Sequence, residues 1–407
     1  MALEHKDIGP NDDGSNSKKH YIKEFKDYLD LKYEFRRNTL TLEIEARKLD
    51  KESFIVLDEA LLNSIWIDMQ MDGYKCTDAT LMKILNSKLT KAYNPLVNFF
   101  EKLPDYNEQE DPIQELSKTV KIKDIIIDGV DQRKLWELFL KKWLVACAAT
   151  ATGLGVNHTC LILVGGQGTG KTTWLNSLCP KGMKQFLVCS HINPSLTDTN
   201  TANYLAEKWF VNIDDQLETI FGKDFNSMKA IITAPFVTNR KTWHRLTKTR
   251  PRICSFMGSV NSPKFLTDSE NRRYLVFTAE SIEFNHQVDI NKVWAQALHL
   301  AKQKFPYWFT TEEIKDLNKI NEVYRQIPPE EEWLQKLFDP CERTDPKAQF
   351  LMASEILTRI NAFSGMRLSL KKLSGALEKL KYGEPFSKRV NGGSPRRVYS
   401  VIERKDI

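Results

Sequence analysis

Through the middle of the chain the apolar residues gather into short, nearly unbroken runs, Leu161–Val164, Trp209–Val211, Ile253–Met257 and Tyr274–Phe277, each closed off by polar or turn-forming residues. Runs of this length read as buried strands, whereas a helix spaces its apolar positions three and four apart. Residues 158–280 alternate strand and helix signals, which predicts an α/β core with a mainly parallel sheet. Upstream, Phe35–Glu45 alternates Leu40, Leu42 and Ile44 with polar neighbours, as a half-buried strand does. Residues 57–70, 77–88 and 94–103 read as short helices. Arg133–Thr150 carries Leu135, Trp136, Phe139, Trp143 and Leu144 at helical spacing, with the tryptophans expected in the core rather than as stacking platforms. Beyond the core, 291–305 and 311–326 are predicted helices.

Near the end, Ala353–Phe363 and Leu368–Leu380 read as two more helices. Two short strands follow, with Asn391-Gly392-Gly393 between them as turn residues. Helix, helix, hairpin is the outline of a winged helix. The resulting layout is a polar tail over 1–20 that is expected to be disordered, a mostly helical segment over 21–150, the α/β core over 151–310, a helical linker over 311–345 and a winged-helix-like segment over 346–407.

The first core strand runs straight into Gly165-Gly166-Gln167-Gly168-Thr169-Gly170-Lys171-Thr172-Thr173, which matches G-x-x-x-x-G-K-[ST]. The glycines let the backbone curl so that successive N–H groups face phosphates, and the following helix adds its positive end. Lys171 is expected at the β- and γ-phosphates and the Thr172 hydroxyl at Mg²⁺. A strand then ends in Asp214 and Asp215, of which Asp214 suits the metal and Asp215 the attacking water. A third strand ends in Asn261, an amide able to bridge γ-phosphate and water, or alternatively to cap a turn. Arg272 and Arg273 precede the fourth strand; a guanidinium there can reach a neighbouring subunit's nucleotide, or pair locally with Asp268 or Glu270.

Composition alters this picture little. The 407 residues carry a net charge of +6, too mild an excess to demand a polyanionic partner. The distribution says more, because Thr238–Arg252 contains Arg240, Lys241, Trp243, His244, Arg245, Lys248 and Arg250 without one acid. These side chains suit phosphate contacts and base stacking on a single strand of DNA, although Arg240 or Lys241 could instead serve a neighbour's γ-phosphate. Lys371, Lys372, Lys388, Arg389, Arg396 and Arg397 form a second basic set, suited to duplex DNA beside the predicted hairpin. The seven cysteines show no C-x-x-C pair, so buried thiols in a reducing compartment are expected rather than zinc or disulfides. No apolar stretch is long enough for a membrane span and no leader is evident at the start, so a cytoplasmic location is expected.

The order of these motifs resembles that of superfamily 3 helicases within the AAA+ ATPases. The wording Met228-Lys-Ala-Ile-Ile-Thr-Ala, Phe256-Met-Gly-Ser-Val-Asn261 and Phe265-Leu-Thr-Asp-Ser-Glu-Asn-Arg-Arg-Tyr274 is similar to the virulence-associated protein E family of phages and mobile elements, over roughly residues 90–310. The resemblance implies an ATP- and Mg²⁺-dependent DNA helicase acting in replication as a ring, expected to be a hexamer. It makes Asn261 the first sensor and Arg273 the better match to the finger, and places the basic run on a pore hairpin. This chain has Ser269-Glu270-Asn271 where the family commonly shows Thr-Gly-Asn, and Asp215 where it commonly has Glu. Residues 21–150 show no cluster of carboxylates of a primase kind. A DNA-binding ATPase switch that does not unwind is the alternative, and a kinase of small molecules or polynucleotides is a third, disfavoured by the basic segments.

Overall fold

The computed structural model describes residues 14–220, 222–239, 247–267, 271–389 and 394–404. Two compact units divide the chain, Met1–Pro263 with Glu270–Glu322, and Lys264–Ser269 with Val323–Ile407.

The first unit is organised by a six-stranded sheet. Across it lie Val120–Ile122, the Arg strand Tyr274–Ile282, the loop strand Cys160–Val164, the Asn strand Ser255–Val260, the Asp strand Phe210–Asn212 and the outer strand Leu187–Cys189. All neighbours are parallel except the edge pair of Val120–Ile122 with the Arg strand. The parallel part answers to the apolar runs, since the loop, Asp and Asn strands are buried at every position. The antiparallel edge strand, too short for a periodicity signal, and the helix Gln132–Thr152 come from the segment upstream of residue 151 and join this same core.

Tryptophans and phenylalanines lock helices onto the sheet. Trp209 stacks on Phe210 at 4.8 Å between centroids and meets Trp294 of the helix Ile290–Lys302 at 4.6 Å. Trp136 and Trp143 are buried, as expected. Their neighbours use polar ends as well as surface: Trp174 Nε1 donates to Thr119 Oγ1 at 2.7 Å, and Trp294 Nε1 to the Leu178 carbonyl at 2.8 Å. These two bonds fix the helix Lys171–Ser177 that follows the glycine loop to its surroundings.

The amino-terminal part departs from its predicted form. The strand expected over Phe35–Glu45 is two antiparallel strands, Tyr33–Asn38 and Ile44–Lys48. Asn38 Oδ1 accepts from the N–H groups of Leu40 and Thr41, at 3.0 and 3.2 Å, and Leu42 takes φ +64°. A side-chain-stabilised turn thus defeats the apolar alternation. Residues 14–20, expected in a polar tail, open the helix Gly14–Lys32. The segment is therefore a four-stranded sheet with helices packed on its own core of Phe25, Tyr28, Leu29, Ile65 and Met69. Of the cysteines, all free, five are buried as expected, while Cys189 is exposed and Cys341 half-buried.

The second unit is built on the long strand Pro395–Glu403, which pairs antiparallel with Phe338–Pro340, Gln349–Leu351 and Phe386–Arg389. The helices Ala353–Ser364 and Leu370–Lys379 cover it through Ile356, Ile360, Leu373 and Leu377. The turn residues Asn391–Gly393 lie outside the described residues.

The basic run is flanked by an antiparallel pair, Phe236–Asn239 with Lys248–Pro251; Arg240, Lys241, Trp243, His244 and Arg245 lie outside the described residues. Lys248 is exposed on this pair. Arg250, counted among the DNA-facing cations from sequence, is instead buried, donating to Glu207 Oε1 at 2.9 Å, to the Leu40 carbonyl at 2.9 Å and to Asn203 Oδ1 at 3.0 Å. Its place opposite Val237 in the pair turns it toward the helix Thr199–Glu207 and away from solvent. Arg250→Ala takes the guanidinium away from the little-exposed Glu207 carboxylate, so urea denaturation is expected to show a loss of about 3 kcal/mol.

Candidate active site

The sheet order decides which residues meet. Because the Asn strand lies between the loop strand and the Asp strand, and all three run the same way, the motifs that follow them emerge side by side at one sheet end. Gly168 and Gly170 take φ +79° and +83°, a left-handed conformation that glycine adopts without penalty, and the loop curls there as its sequence requires.

Lys171 is buried, and its Nζ donates to the carbonyls of Gly165 and Gly166 at 2.8 Å each and to Asn261 Oδ1 at 3.1 Å. Burial pushes its pKa down, opposed by the charges of Asp215, Asp214 and Glu218. Next to it, Thr172 Oγ1 donates to the Asp214 carboxylate at 3.0 Å, and Ser259 also donates to Asp214. A hydroxyl and a carboxylate in contact, with the glycine loop alongside, form a hard-oxygen set suited to Mg²⁺, which takes one or two protein oxygens and fills its sphere with other oxygen donors and water.

Asp215 faces elsewhere. It takes φ +52°, its N–H donates to the Ser259 carbonyl at 2.9 Å, and its Oδ1 accepts from Asn261 Nδ2 at 3.0 Å. Burial raises its pKa, reinforced by Asp214 and Glu218, while Lys171 and Asn261 oppose the rise. The left-handed backbone separates the adjacent carboxylates, Asp214 toward the Thr172 hydroxyl and Asp215 toward the Asn261 amide. Asn261 thus bridges Lys171 and Asp215 through the two ends of one amide.

Glu218 and Ser259 also belong to this site, although neither stands out in the sequence. Glu218 accepts from the N–H groups of Asn261 and Ser262, the latter at 2.9 Å, and so holds the end of the Asn strand in place. Ser259 lies within the Gly-Ser-Val-Asn motif, whereas Glu218 carries no signal beyond acidity, because its contact spans two strands.

Arg272 and Arg273 sit at the opposite end. Tyr274 is in register with Cys160, and the Arg273 carbonyl accepts from Cys160 N–H at 2.7 Å, so the pair marks where the parallel strands begin. One strand length of five residues, roughly 16 Å, separates them from the glycine loop. They line a cavity of about 430 Å³ with His158, Thr159, Tyr307 and Trp308. Arg272 is exposed; Arg273 is half-buried and its Nε has no hydrogen-bond partner. Neither guanidinium pairs with an acid among the described residues, and Asp268 and Glu270 lie outside them. His158 has its pKa pushed down by burial, with Arg252, Arg273 and Arg272 adding to the effect.

A model of the virulence-associated protein E-like domain matches residues 112–326, which hold every site residue described above. Among solved structures, the apo C-terminal region of NrS-1 (305–718) is similar at 12% identity and a TM-score of 0.47, covering 94% of this chain and 99% of that one. SCCmec type IV Cch, described as an active helicase, is similar at 10% identity and a TM-score of 0.36, covering 91% and 92%. No curated protein matches.

The raised pKa of Asp215 has a consequence for stability. A carboxyl whose folded pKa lies above its unfolded value favours folding when protonated, and that contribution is lost as pH rises through the folded pKa. Asp215→Asn is therefore expected to raise the melting temperature at neutral pH. The gain should fade as pH falls through the carboxylate range, a trend measurable by calorimetry at several pH values.

Proposed function

The chain belongs to the virulence-associated protein E-like family, and we propose that it is an ATP-hydrolysing motor of the superfamily 3, AAA+ type, which oligomerises as a ring on DNA and unwinds it during replication of a phage or mobile element. The observation that carries this reading is the division of the catalytic set between the two ends of one sheet. Lys171, Thr172, Asp214, Asp215 and Asn261 converge at one end, while Arg272 and Arg273, without acidic partners among the described residues, stand at the other. Rigid strands keep these halves apart within a subunit, so they meet only between subunits.

In this mechanism the loop N–H groups bind the ATP phosphates, and Lys171 exchanges the Gly165 and Gly166 carbonyls for β- and γ-phosphate oxygens. Thr172 and Asp214 would hold Mg²⁺, whose chemistry there would be neutralisation of charge on the phosphates. Asp215 and Asn261 orient the attacking water, with Asp215 as acceptor of its proton. Partial desolvation and the neighbouring carboxylates raise the proton affinity of Asp215, which suits it to that role. The neighbour's arginine offsets charge on the transferring phosphoryl group. Arg272 is the better placed to extend outward, with Arg273 behind it, which reverses the order that the family resemblance implies.

DNA contacts are assigned to the basic run between the antiparallel strands, with Lys248 at its described edge, and to a winged helix in the second unit. The hairpin there sets Lys388 directly opposite Arg396, a like-charge pairing that destabilises a sheet and so favours an anionic partner. Lys388 lies over the Phe350 ring, and Arg389, Arg396 and Arg397 are exposed.

Lys171→Ala is expected to abolish hydrolysis. Arg272→Ala and Arg273→Ala should retain ATP binding and ring assembly yet lower turnover by about 10³-fold or more for the finger itself; normal turnover by both variants in an intact ring would sink the shared site. Mass measurement with and without ATP and DNA gives the assembly, and a ring that hydrolyses ATP but separates forked DNA of neither polarity would mark a switch rather than a helicase. Replacing Arg396 and Arg397 by Ala should weaken duplex binding and flatten its salt dependence by about one in log–log slope for each phosphate that the removed side chains neutralise, as read by anisotropy across a salt series.

A further inference from the structure

Beyond the Arg strand the chain makes a turn through Glu283, Phe284 and Asn285. It is anchored by Glu283 N–H donating to the Thr119 carbonyl at 2.8 Å and by His286 N–H donating to the Glu283 carbonyl at 3.3 Å. This anchored turn sets the Phe284 ring against the glycine loop. A Cβ built on Gly170 would lie 2.3 Å from Phe284 Cδ1 and 2.8 Å from Cγ, so the ring rests directly on the Gly170 backbone. Gly170 is thus glycine for two reasons, its φ of +83° and the aromatic ring over it. Phe284 is nevertheless 40% exposed, so one part of the ring that does not touch Gly170 is open to solvent.

The sheet order supplies a direction. Lys171 with Asn261, and Thr172 with Asp214, place the γ-phosphate and metal end of a triphosphate over the Asn and Asp strands. Those strands lie on one side of the loop strand. The Arg strand and Val120–Ile122 lie on the other. A nucleotide stretched along the loop with its γ-phosphate on the first side carries its nucleoside to the second, where Phe284 emerges.

We infer that Phe284 is the platform on which the nucleoside of the bound triphosphate stacks, so that this ring reads the base end of the nucleotide while the glycine loop reads only phosphates. The inference rests on the proposal that ATP occupies the loop. Stacking on an aromatic face needs no hydrogen-bond code and tolerates different bases.

Calorimetric titration of the full chain with Mg-ATP and, separately, with inorganic tripolyphosphate tests it. Phe284→Ala is expected to weaken ATP binding on the order of tenfold and leave tripolyphosphate binding unchanged, with Phe284→Trp keeping ATP affinity near that of the wild type. Equal ATP affinity in wild type and Phe284→Ala would overturn the inference. So would an equal loss for both ligands, since the ring would then only shape the loop. Wild-type protein that binds neither ligand would instead sink the nucleotide reading itself, and this inference with it.

Discussion

The parallel alignment of adjacent strands is the constraint on which the rest of this structure depends. Hydrogen bonding in one direction gathers every strand end that leads into the glycine loop, the Asp pair and Asn261 at one sheet end, and every strand start at the other. The candidate site residues come together because of it, with Lys171 and Asp215 joined through the Asn261 amide. The same alignment sends Arg272 and Arg273 a full strand length away.

A site of this kind is electrostatically costly, and the surrounding packing offsets the cost. Burial disfavours the charged forms of both Lys171 and Asp215, and each is partly compensated by the other. The aromatic cluster around Trp174, Trp209 and Trp294 holds the loop helix and the sheet against this, each truncation of such a ring being worth roughly 3–5 kcal/mol. Glu218 adds a local brace by accepting from the backbone after the Asn strand.

Basic residues that look alike in the sequence part ways in the fold. Lys248 and Arg250 are neighbours but one in the same strand, yet the first is solvent-exposed while the second is buried in an ion pair with Glu207. Nothing in the strand itself separates them, because burial here depends on a helix from elsewhere in the chain. Leu40 and Leu42 show the converse. Their alternation mimics a strand, while the Asn38 side chain accepts from the turn backbone and bends the chain between two strands. In each case a local pattern is overruled by a hydrogen bond that the pattern does not encode.

By itself the sequence determined the α/β class of the core, the glycine loop at the end of its strand, and which residues, Lys171, Thr172, Asp214, Asp215 and Asn261, stand at the strand ends. Glycine placement, apolar strand runs and terminal polar residues are local properties, written in contiguous residues. Only the tertiary structure decided strand order, and with it the contact of Thr172 with Asp214, the participation of Glu218 and Ser259, the burial of Arg250 and the seat of Phe284 on Gly170. Those relations join segments far apart in the chain, and no periodicity within a segment specifies which neighbour a strand will take.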